Sequence, residues 1–337
     1  MKRKMFVVLC LIGMCSFAFA GGGNERSAEG EPQYPKGDIS VLIAAAAGGG
    51  NDLLVRALLP SLERTLKVSV VPVNQPGGRG AIAFNEVASA RPDGQKLYFN
   101  SKSVLLMKFN GIEEANMDRL VPVAQVAEDV TIFFVRSDSP IKNIKDLINH
   151  IKTSKERVKS ANSGMGALWH LSQILFCQTI GSDNILSIAY PAGSSAMLTA
   201  LVSGEVEFVT CGPEAKSFID AGKVRPLCVV YPGRYPSFPD IPTLKEETGL
   251  DYDYPVWRGF FTTEGTDPKV LKILSDALKT AVESEEFKKF TAIGMIASFK
   301  DSKTFGEIVD KEQKSLEVLM PGVMAQIKSA DSSGGKK

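Results

Sequence analysis

One stretch decides the fold: Ile39-Ser-Val-Leu-Ile-Ala-Ala-Ala-Ala-Gly48-Gly49-Gly50-Asn51-Asp52-Leu-Leu-Val-Arg56. Its apolar start predicts a buried strand, its three glycines predict a tight turn, and its Leu-rich end after Asn and Asp predicts a helix. The start of such a helix presents unpaired N–H groups and the positive end of the helix dipole. The five residues 48–52 are therefore candidates for binding an anionic group. The alternative interpretation is that the glycines only permit the turn.

The same strand–turn–helix pattern recurs farther along the chain. Strands are predicted at 68–73 and 97–100 in the first half, and at 158–161, 185–190 and 206–210 in the second. Small and polar residues follow these strands, and this alternation with helices predicts parallel α/β sheets. Ligands of such sheets bind beyond the carboxyl ends of the strands. Because the pattern occurs in two separate halves, we expect two α/β lobes facing each other across a cleft.

The first helix contains a proline, and the composition is that of a globular protein. Pro60 is expected to kink this helix or to end it early. The 337 residues are 44% hydrophobic and 23% charged, with a formal net charge of +1. Without residues 1–20, 36 basic and 38 acidic side chains remain, a net charge of −2. No basic face is implied, so we expect no nucleic-acid partner.

The first twenty residues have the pattern of a signal peptide. Met1-Lys-Arg-Lys4 is a basic start, and residues 5–19 are apolar but too short to read as a membrane span. Ala18-Phe19-Ala20 suits cleavage after Ala20, so we expect export, with a periplasmic location. Lipid attachment at Cys15 is the competing interpretation. In either case residues 21–33 are predicted to form a flexible polar tether.

Three cysteines remain beyond this leader: Cys177, Cys211 and Cys228. An odd number allows at most one disulfide, and their spacing fits no metal-binding pattern. We expect buried thiols that act as small hydrophobic side chains.

Short motifs follow one another in a consistent order from about residue 34 to residue 320. They are Tyr34-Pro35 with Gly48-Gly49-Gly50-Asn51-Asp52 and Arg56, Asn74-Gln-Pro76-Gly77-Gly78-Arg79-Gly80, Ala90-Arg-Pro92-Asp93-Gly94, Gly164-Met165-Gly166 with His170-Leu171, Gly193-Ser194-Ser195-Ala196 with Ala200-Leu201 and Gly204-Glu-Val206-Glu207, Pro242-Thr-Leu244-Lys-Glu246, and Trp257-Arg-Gly259. In this order they resemble the Bug-type extracytoplasmic solute receptors of tripartite tricarboxylate transporters.

The resemblance implies an α/β fold of the two-lobed periplasmic-binding-protein type, type II-like. Two crossovers would join the lobes, and the ligand would lie in the cleft between them. In this family, loops after the first strands hold a small carboxylate through backbone N–H groups and ordered water. Ala47 stands where the family usually has Pro, Ser195 where it has Glu, and Glu207 where it has Asp. These departures concern the identity of the substrate more than the fold.

The predicted domain plan follows from the doubled pattern and from the late return of Trp257-Arg-Gly259. Residues 1–20 form a signal peptide, 21–33 a tether, 34–129 plus 232–325 lobe 1, 130–231 lobe 2, and 326–337 a disordered tail.

The predicted ligand site collects the turns at the strand ends of both lobes. Backbone N–H groups and serine hydroxyls supply donors there, and charge-assisted hydrogen bonds to a carboxylate are strong. The candidate residues are Gly48, Gly49, Gly50, Asn51, Asp52, Gly77, Gly78, Asn100, Ser101, Ser163, Gly164, Met165, Gly166, His170, Ala192, Gly193, Ser194, Ser195 and Glu214. We predict no catalytic residue, metal or cofactor.

Several candidates have a structural alternative. His170 faces the ligand or instead caps the turn before its helix. Asp52 orients polar substrates or instead caps the first helix, because its charge would repel a carboxylate. Tyr254 and Trp257 are expected to be core or interlobe aromatic residues.

Most of the predicted turns contain no basic side chain. No Arg or Lys occurs in 39–55, 97–101, 160–170 or 190–198, and Arg79 and Lys102 are the nearest candidates. We therefore expect backbone N–H groups, rather than a salt bridge, to hold the carboxylate.

The expected function is that of an exported, monomeric receptor that delivers a di- or tricarboxylate or a similar organic acid to membrane transporter subunits. Enzyme motifs are missing: the glycine run lacks P-loop and dinucleotide-binding spacing, and Gly-x-Ser-x-Gly does not occur. Two alternatives stay open: an exported hydrolase that uses Ser163 and His170, and a sensor that presents its ligand to a membrane kinase.

Overall fold

The structure is a computed structural model that describes residues 33–190, 192–252, 254–291 and 294–334. The predicted signal peptide, Cys15 and residues 21–32 of the predicted tether lie outside the described residues. Residues 335–337 of the predicted tail also lie outside them.

Within these ranges the chain alternates between strands and helices. The strands are β1 (Ile39–Ile43), β2 (Val70–Asn74), β3 (Lys96–Ser101), β4 (Leu120–Asp129), β5 (Thr131–Arg136), β6 (Val158–Asn162), β7 (Ile185–Ala189), β8 (Phe208–Cys211), β9 (Val224–Val230), β10 (Val256–Thr263) and β11 (Ile296–Lys300). The α-helices are α1 (Gly50–Leu66), α2 (Ala81–Ala88), α3 (Ile144–Thr153), α4 (Leu168–Ile180), α5 (Ser194–Ser203), α6 (Lys216–Asp220), α7 (Leu244–Thr248), α8 (Pro268–Val282), α9 (Glu285–Thr291) and α10 (Ser302–Gly334).

The strands form two mixed sheets. The first has the order β11-β4-β10-β3-β1-β2, and the second has the order β7-β6-β8-β5-β9. In the first sheet β1 runs parallel to β2 and β3, and in the second β6 runs parallel to β7 and β8. The carboxyl ends of these strands therefore meet at one edge of each sheet, and the turns that follow them lie there.

Two connections join the sheets. Val130 alone separates β4 of the first sheet from β5 of the second, and residues 231–255 lead from β9 back to β10. The predicted α/β class with two crossovers is confirmed. The lobe boundaries stay a prediction.

The first helix departs from the sequence-based expectation. α1 runs from Gly50 to Leu66 with Pro60 inside it, so the predicted early end is wrong and the kink stays a prediction. Pro60 lies on the exposed side, whereas Leu54, Leu58 and Leu62 are buried against the first sheet's core. The burial of this apolar stripe offsets the hydrogen bond that the proline cannot donate.

The last helix also differs from expectation. α10 extends to Gly334, into the range for which a disordered tail was predicted. Near its middle Glu312 accepts hydrogen bonds from Lys102 Nζ at 3.0 Å and from Trp257 Nε1 at 2.6 Å. This buried polar contact ties the helix to the end of β3 and to β10.

The three predicted thiols are unpaired. Cys211 and Cys228 are buried and Cys177 is half-buried. Among the described residues, no helix is long and apolar enough to cross a membrane, and no cluster of three His, Cys, Asp or Glu side chains has the arrangement of a metal site.

Gly259 in β10 has no room for a side chain. A Cβ atom there would lie 2.4 Å from Phe305 Cε1 and 2.9 Å from the backbone oxygen of Ala124. We expect Gly259→Ala to lower the free energy of unfolding by about 1–3 kcal/mol, because the ring and the strand must separate. Chemical denaturation measures the change.

Gly306 in α10 provides the matched control. The nearest atom to its Cβ position is Pro122 Cγ at 4.0 Å. Gly306→Ala should raise the free energy of unfolding by up to about 1 kcal/mol, because alanine favours a helix interior over glycine. Equal effects of the two substitutions would contradict the packing argument.

Candidate functional site

The turn between β1 and α1 is held by the buried carboxylate of Asp52. Its Oδ2 accepts from the backbone N–H of Gly48 at 2.8 Å, and its Oδ1 accepts from Arg56 Nε at 2.8 Å and from Asn74 Nδ2 at 3.0 Å. Burial alone would raise the pKa of Asp52, but these hydrogen bonds and the charge of Arg56 outweigh it, so the pKa is lowered. Asp52 therefore stabilises the turn before α1 and does not cap the N–H groups of the helix itself, and both of its oxygens are occupied.

Four helices at the carboxyl edges of the sheets begin without a side-chain cap. In the described structure α1, α2, α4 and α5 start after Gly49, Gly80, Ala167 and Gly193, respectively, and no side chain accepts from their first N–H groups. By contrast, α3, α7 and α8 are capped by Asn143, Thr243 and Asp267. The starts of α1, α4 and α5 leave backbone donors and positive dipole ends available to an anion. The start of α2 differs, because the N–H of Ala81 already donates to Gly77 O and Gly78 O.

The turns after β2 and β3 complete the edge of the first sheet. Gly77 and Gly78 open a short 3-10 helix, Gly77–Gly80. A Cβ atom on Gly80 would lie 2.6 Å from Ala44 Cβ, so this turn packs directly on the turn after β1. At the end of β3, Asn100 Oδ1 accepts from the backbone N–H of Ser101 at 2.8 Å. Both residues are buried.

The turn after β6 contains Ser163, Gly164, Met165 and Gly166, and His170 lies in the first turn of α4. His170 Nδ1 accepts from the backbone N–H of Gly166 at 3.0 Å, so the histidine caps this turn. Burial lowers the pKa of His170 to about 4, and the ring is therefore neutral at neutral pH. An acceptor role for Nδ1 leaves the proton on Nε2.

Residues 192–195 and Glu214 lie at the remaining strand ends of the second sheet. Ala192, Gly193, Ser194 and Ser195 lead from β7 into α5, and Glu214 follows β8 in a short 3-10 helix, Pro213–Ala215. Ser194 Oγ donates to Glu214 Oε1, and the backbone N–H of Gly212 approaches the same oxygen at 3.3 Å. Glu214 keeps an exposed surface, while the surrounding protein desolvates its carboxylate.

Sequence reasoning missed the basic residue of the site, Arg258 in β10. Its Nε donates to Asp129 Oδ2 at 2.8 Å, its Nη2 donates to the same oxygen, and its Nη1 donates to Asn51 Oδ1 at the start of α1. A Cβ atom on Gly50 would lie 3.6 Å from Nη1. The fold thus brings a basic side chain other than Arg79 and Lys102 to the start of α1. That backbone N–H groups hold the carboxylate stays a prediction. The motif Trp257-Arg-Gly259 was the available signal.

The other two basic candidates have different surroundings. Lys102 Nζ contacts Glu312 and the backbone oxygen of Pro255, and it lies 4.2 Å from the centre of the Tyr254 ring. Arg79 is exposed. Tyr254 and Trp257 are buried aromatic residues, as expected, and Tyr254 Oη donates to Leu168 O in α4 at 3.2 Å.

The carboxyl edges of the two sheets are connected by contacts of residues that were not among the predicted site residues. Asn110 Nδ2, beyond β3, donates to Gly166 O at 3.2 Å. Tyr235 Oη, in the second connection between the sheets, donates to Gly294 O at 2.6 Å, and a Cβ atom on Gly294 would lie 3.1 Å from Pro213. The turns of both sheets thus lie around one cleft.

The cleft presents hydrogen-bond donors that the described contacts leave unused. The contacts described use three of the five N–H groups of Arg258, so two remain for an anion beside the uncapped start of α1. The hydrolase alternative would need a base at His170, yet the described contacts assign its Nδ1 to the Gly166 N–H.

Comparison with known proteins identifies similar chains. The sequence of residues 54–320 matches the protein family described as tripartite tricarboxylate transporter family receptor. A protein of the UPF0065 group from Bordetella bronchiseptica is 32% identical over 72% of this chain and 72% of that protein. Protein BugT of Bordetella pertussis is 27% identical over 92% of this chain and 96% of that protein.

Solved structures share the fold. A TctC solute-binding protein from Polaromonas has a TM-score of 0.75 and 25% identity, with 87% of this chain and 99% of that chain covered. MatC of Rhodopseudomonas palustris, determined with malate, has a TM-score of 0.70 and 23% identity, with 85% and 100% covered. A second protein of that organism, determined with adipate, has a TM-score of 0.72 and 23% identity, with 86% and 98% covered.

Glu214 should make stability depend on pH. Desolvation by the surrounding protein, and then the negative charge of Asp129, raise the pKa of Glu214. The folded protein therefore favours the protonated carboxyl. That contribution is present below the pKa and is lost as the pH rises through it. Because Gln resembles the protonated form, we expect Glu214→Gln to raise the melting temperature relative to the parent protein near pH 8, and less near pH 4.

Glu113 is an exposed acid that serves as the control for this experiment. Glu113→Gln removes the same charge from an exposed position, so it measures how much of the effect comes from the loss of one negative charge alone. A stabilisation by Glu214→Gln that grows toward low pH would reverse the assigned direction of the pKa shift.

Proposed function

The chain belongs to the tripartite tricarboxylate transporter receptor family, and we propose that it captures a small carboxylate in the cleft and delivers it to a membrane transporter of that type. The observation that carries this proposal is the pairing of uncapped helix starts with one partly satisfied arginine. One carboxylate offers about four lone-pair sites, which the N–H groups of α1 and Arg258 would fill.

The free energy of the proposed hydrogen bonds is large enough for micromolar binding. A charge-assisted hydrogen bond contributes about 1.5–3 kcal/mol net. Micromolar binding corresponds to about 8 kcal/mol. Four such bonds in a cleft that closes over the ligand therefore bring the affinity into that range, before the entropy of association is subtracted.

We infer that the protein works outside the cytoplasm as a monomeric receptor. The basic, apolar and small-x-small pattern of residues 1–20 supports export with cleavage after Ala20. N-terminal sequencing of the exported protein tests the cleavage, and fatty-acid labelling that depends on Cys15 would favour lipid attachment instead.

We propose that binding occurs without chemical transformation. The family is one of receptors, and the described cleft contains hydrogen-bond donors rather than an activated nucleophile. Presentation of the ligand to a membrane kinase uses the same cleft. Transport of the bound acid by vesicles that contain the transporter subunits distinguishes delivery from sensing.

A thermal-shift screen followed by calorimetry tests the proposal. The panel contains mono-, di- and tricarboxylates, and malate and adipate belong in it because structures of similar fold are described with these acids. We expect saturable binding of at least one organic acid, without turnover. Tight binding of another ligand class, with no response to any acid, would refute the proposal.

Variants of the two donor groups locate the ligand. Gly50→Val fits the fold, since the three nearest atoms to the Cβ position belong to Arg258 and Met295 and lie 3.6–3.8 Å away, but it blocks approach to the start of α1. Arg258→Lys keeps the charge opposite Asp129 and loses the planar fork. We expect each to weaken binding by at least about tenfold, or about 1.4 kcal/mol.

Arg79→Ala and Lys102→Ala are the matched controls, because neither side chain lies at the start of α1. Each should change the dissociation constant by less than about tenfold. Calorimetry gives the four constants, and circular dichroism confirms folding. Loss of binding in a folded Arg79→Ala or Lys102→Ala, with full affinity in Gly50→Val, would place the carboxylate elsewhere.

A further inference from the structure

The cleft contains a buried carboxylate oxygen that lacks a partner within the described part of the chain. Asp129 is 1% exposed, and its Oδ2 receives both bonds from Arg258. Its Oδ1 has no hydrogen-bond donor among the described residues. A buried, unsatisfied oxygen on a carboxylate is costly, so a donor is expected at this point.

The position of Asp129 ties this oxygen to the ligand cleft. Asp129 is the last residue of β4, pairs with Val256 in β10, and precedes the one-residue crossover into the second sheet. The guanidinium that holds its Oδ2 also reaches Asn51 at the uncapped start of α1. The negative charge of Asp129 also acts on Glu214, in the short 3-10 helix after β8.

The balance of charge restricts what binds there. Arg258 is the cation of this cluster, and Asp129 and Glu214 are its acids. A plain dicarboxylate brings two further negative charges and no donor for Asp129. An acid with a hydroxyl or ammonium group brings that donor, and an ammonium group also adds a compensating charge.

Resting on the proposed carboxylate-binding function, we propose that the ligand is an acid whose carboxylate is held by α1 and Arg258 and whose adjacent carbon carries a hydrogen-bond donor for Asp129 Oδ1. The donor belongs next to the carboxylate because one guanidinium spans both positions. The shared chemistry is that of α-hydroxy and α-amino acids. Their plain counterparts leave the buried oxygen unpaired, and sites of this kind discriminate strongly against such analogues.

Matched pairs of acids provide the test by calorimetry. L-Malate and L-aspartate are each compared with succinate, and citrate is compared with tricarballylate. The donor-bearing member of at least one pair should bind at least about tenfold more tightly. The malate and aspartate arms separate a hydroxyl donor from an ammonium donor.

Asp129→Asn changes the acceptor without changing its shape. The amide oxygen stays opposite Arg258, so Nδ2 takes the place of Oδ1 and presents donors instead of an acceptor. The preference for donor-bearing acids should fall to within about threefold. Glu128→Gln is the control, because Glu128 contacts Gln125 and Ser298, and this variant should keep the preference of the parent protein.

The outcomes separate this inference from the proposed function. If no organic acid binds, the proposed function fails. If acids bind but the members of every pair bind equally, water satisfies Asp129 and the donor inference is overturned. A folded Asp129→Asn variant that keeps the full preference also overturns it. The comparison of pairs on the parent protein decides the question even if the variant does not fold.

Discussion

The ion pair between Asp129 and Arg258 holds together the strands and the helix start that form the cleft. Both side chains are largely buried, at 1% and 14% exposure, and removing two charges from water is costly unless each finds close partners. The pair joins the end of β4 to β10, and the second arm of the guanidinium reaches Asn51 in α1. Strand ends and a helix start from distant parts of the chain are thereby fixed around one point. Any group that enters the cleft meets this arrangement already formed.

Helices that begin at the cleft lack the capping side chains that other helices of this protein have. Away from the cleft, Asn143, Thr243 and Asp267 cap their helices with side-chain oxygens. At the cleft, glycine or alanine takes that position, and Asp52 stabilises the turn from within the helix by accepting from Gly48. Relative to a capping side chain, alanine at this position costs about 0.5–2 kcal/mol and glycine only a few tenths of a kcal/mol. A ligand that supplies the missing acceptors recovers this energy only when bound, which couples binding to the order of the cleft.

Much of the architecture was predictable because it depends on local patterns. The apolar run from Ile39, the glycine turn and the Leu-rich helix are short-range signals, and the parallel pairing of β1 with β2 and β3 follows from their alternation with helices. The motif Trp257-Arg-Gly259 marks Arg258 in the sequence but does not place it beside α1, because β10 follows β3 by more than 150 residues and pairs antiparallel with it. Arg258 lies next to Asn51 because of the order of the strands in the sheet, and local sequence patterns do not reveal that order. Likewise, Pro60 argued for an early end of α1, and only the burial of Leu54, Leu58 and Leu62 explains the helix that continues past it.

The choice of cation explains why one buried basic residue serves the cleft and another serves the core. Lys102 carries a compact ammonium with three donors, and Glu312, Pro255 O and the face of Tyr254 surround it. Arg258 has five donors in a rigid fork, so it binds Asp129 and Asn51 and still points N–H groups toward the start of α1. A lysine at position 258 would satisfy either Asp129 or an incoming anion, but its geometry could not hold both in fixed positions. The planar guanidinium therefore lets a structural ion pair and a binding contact share one residue.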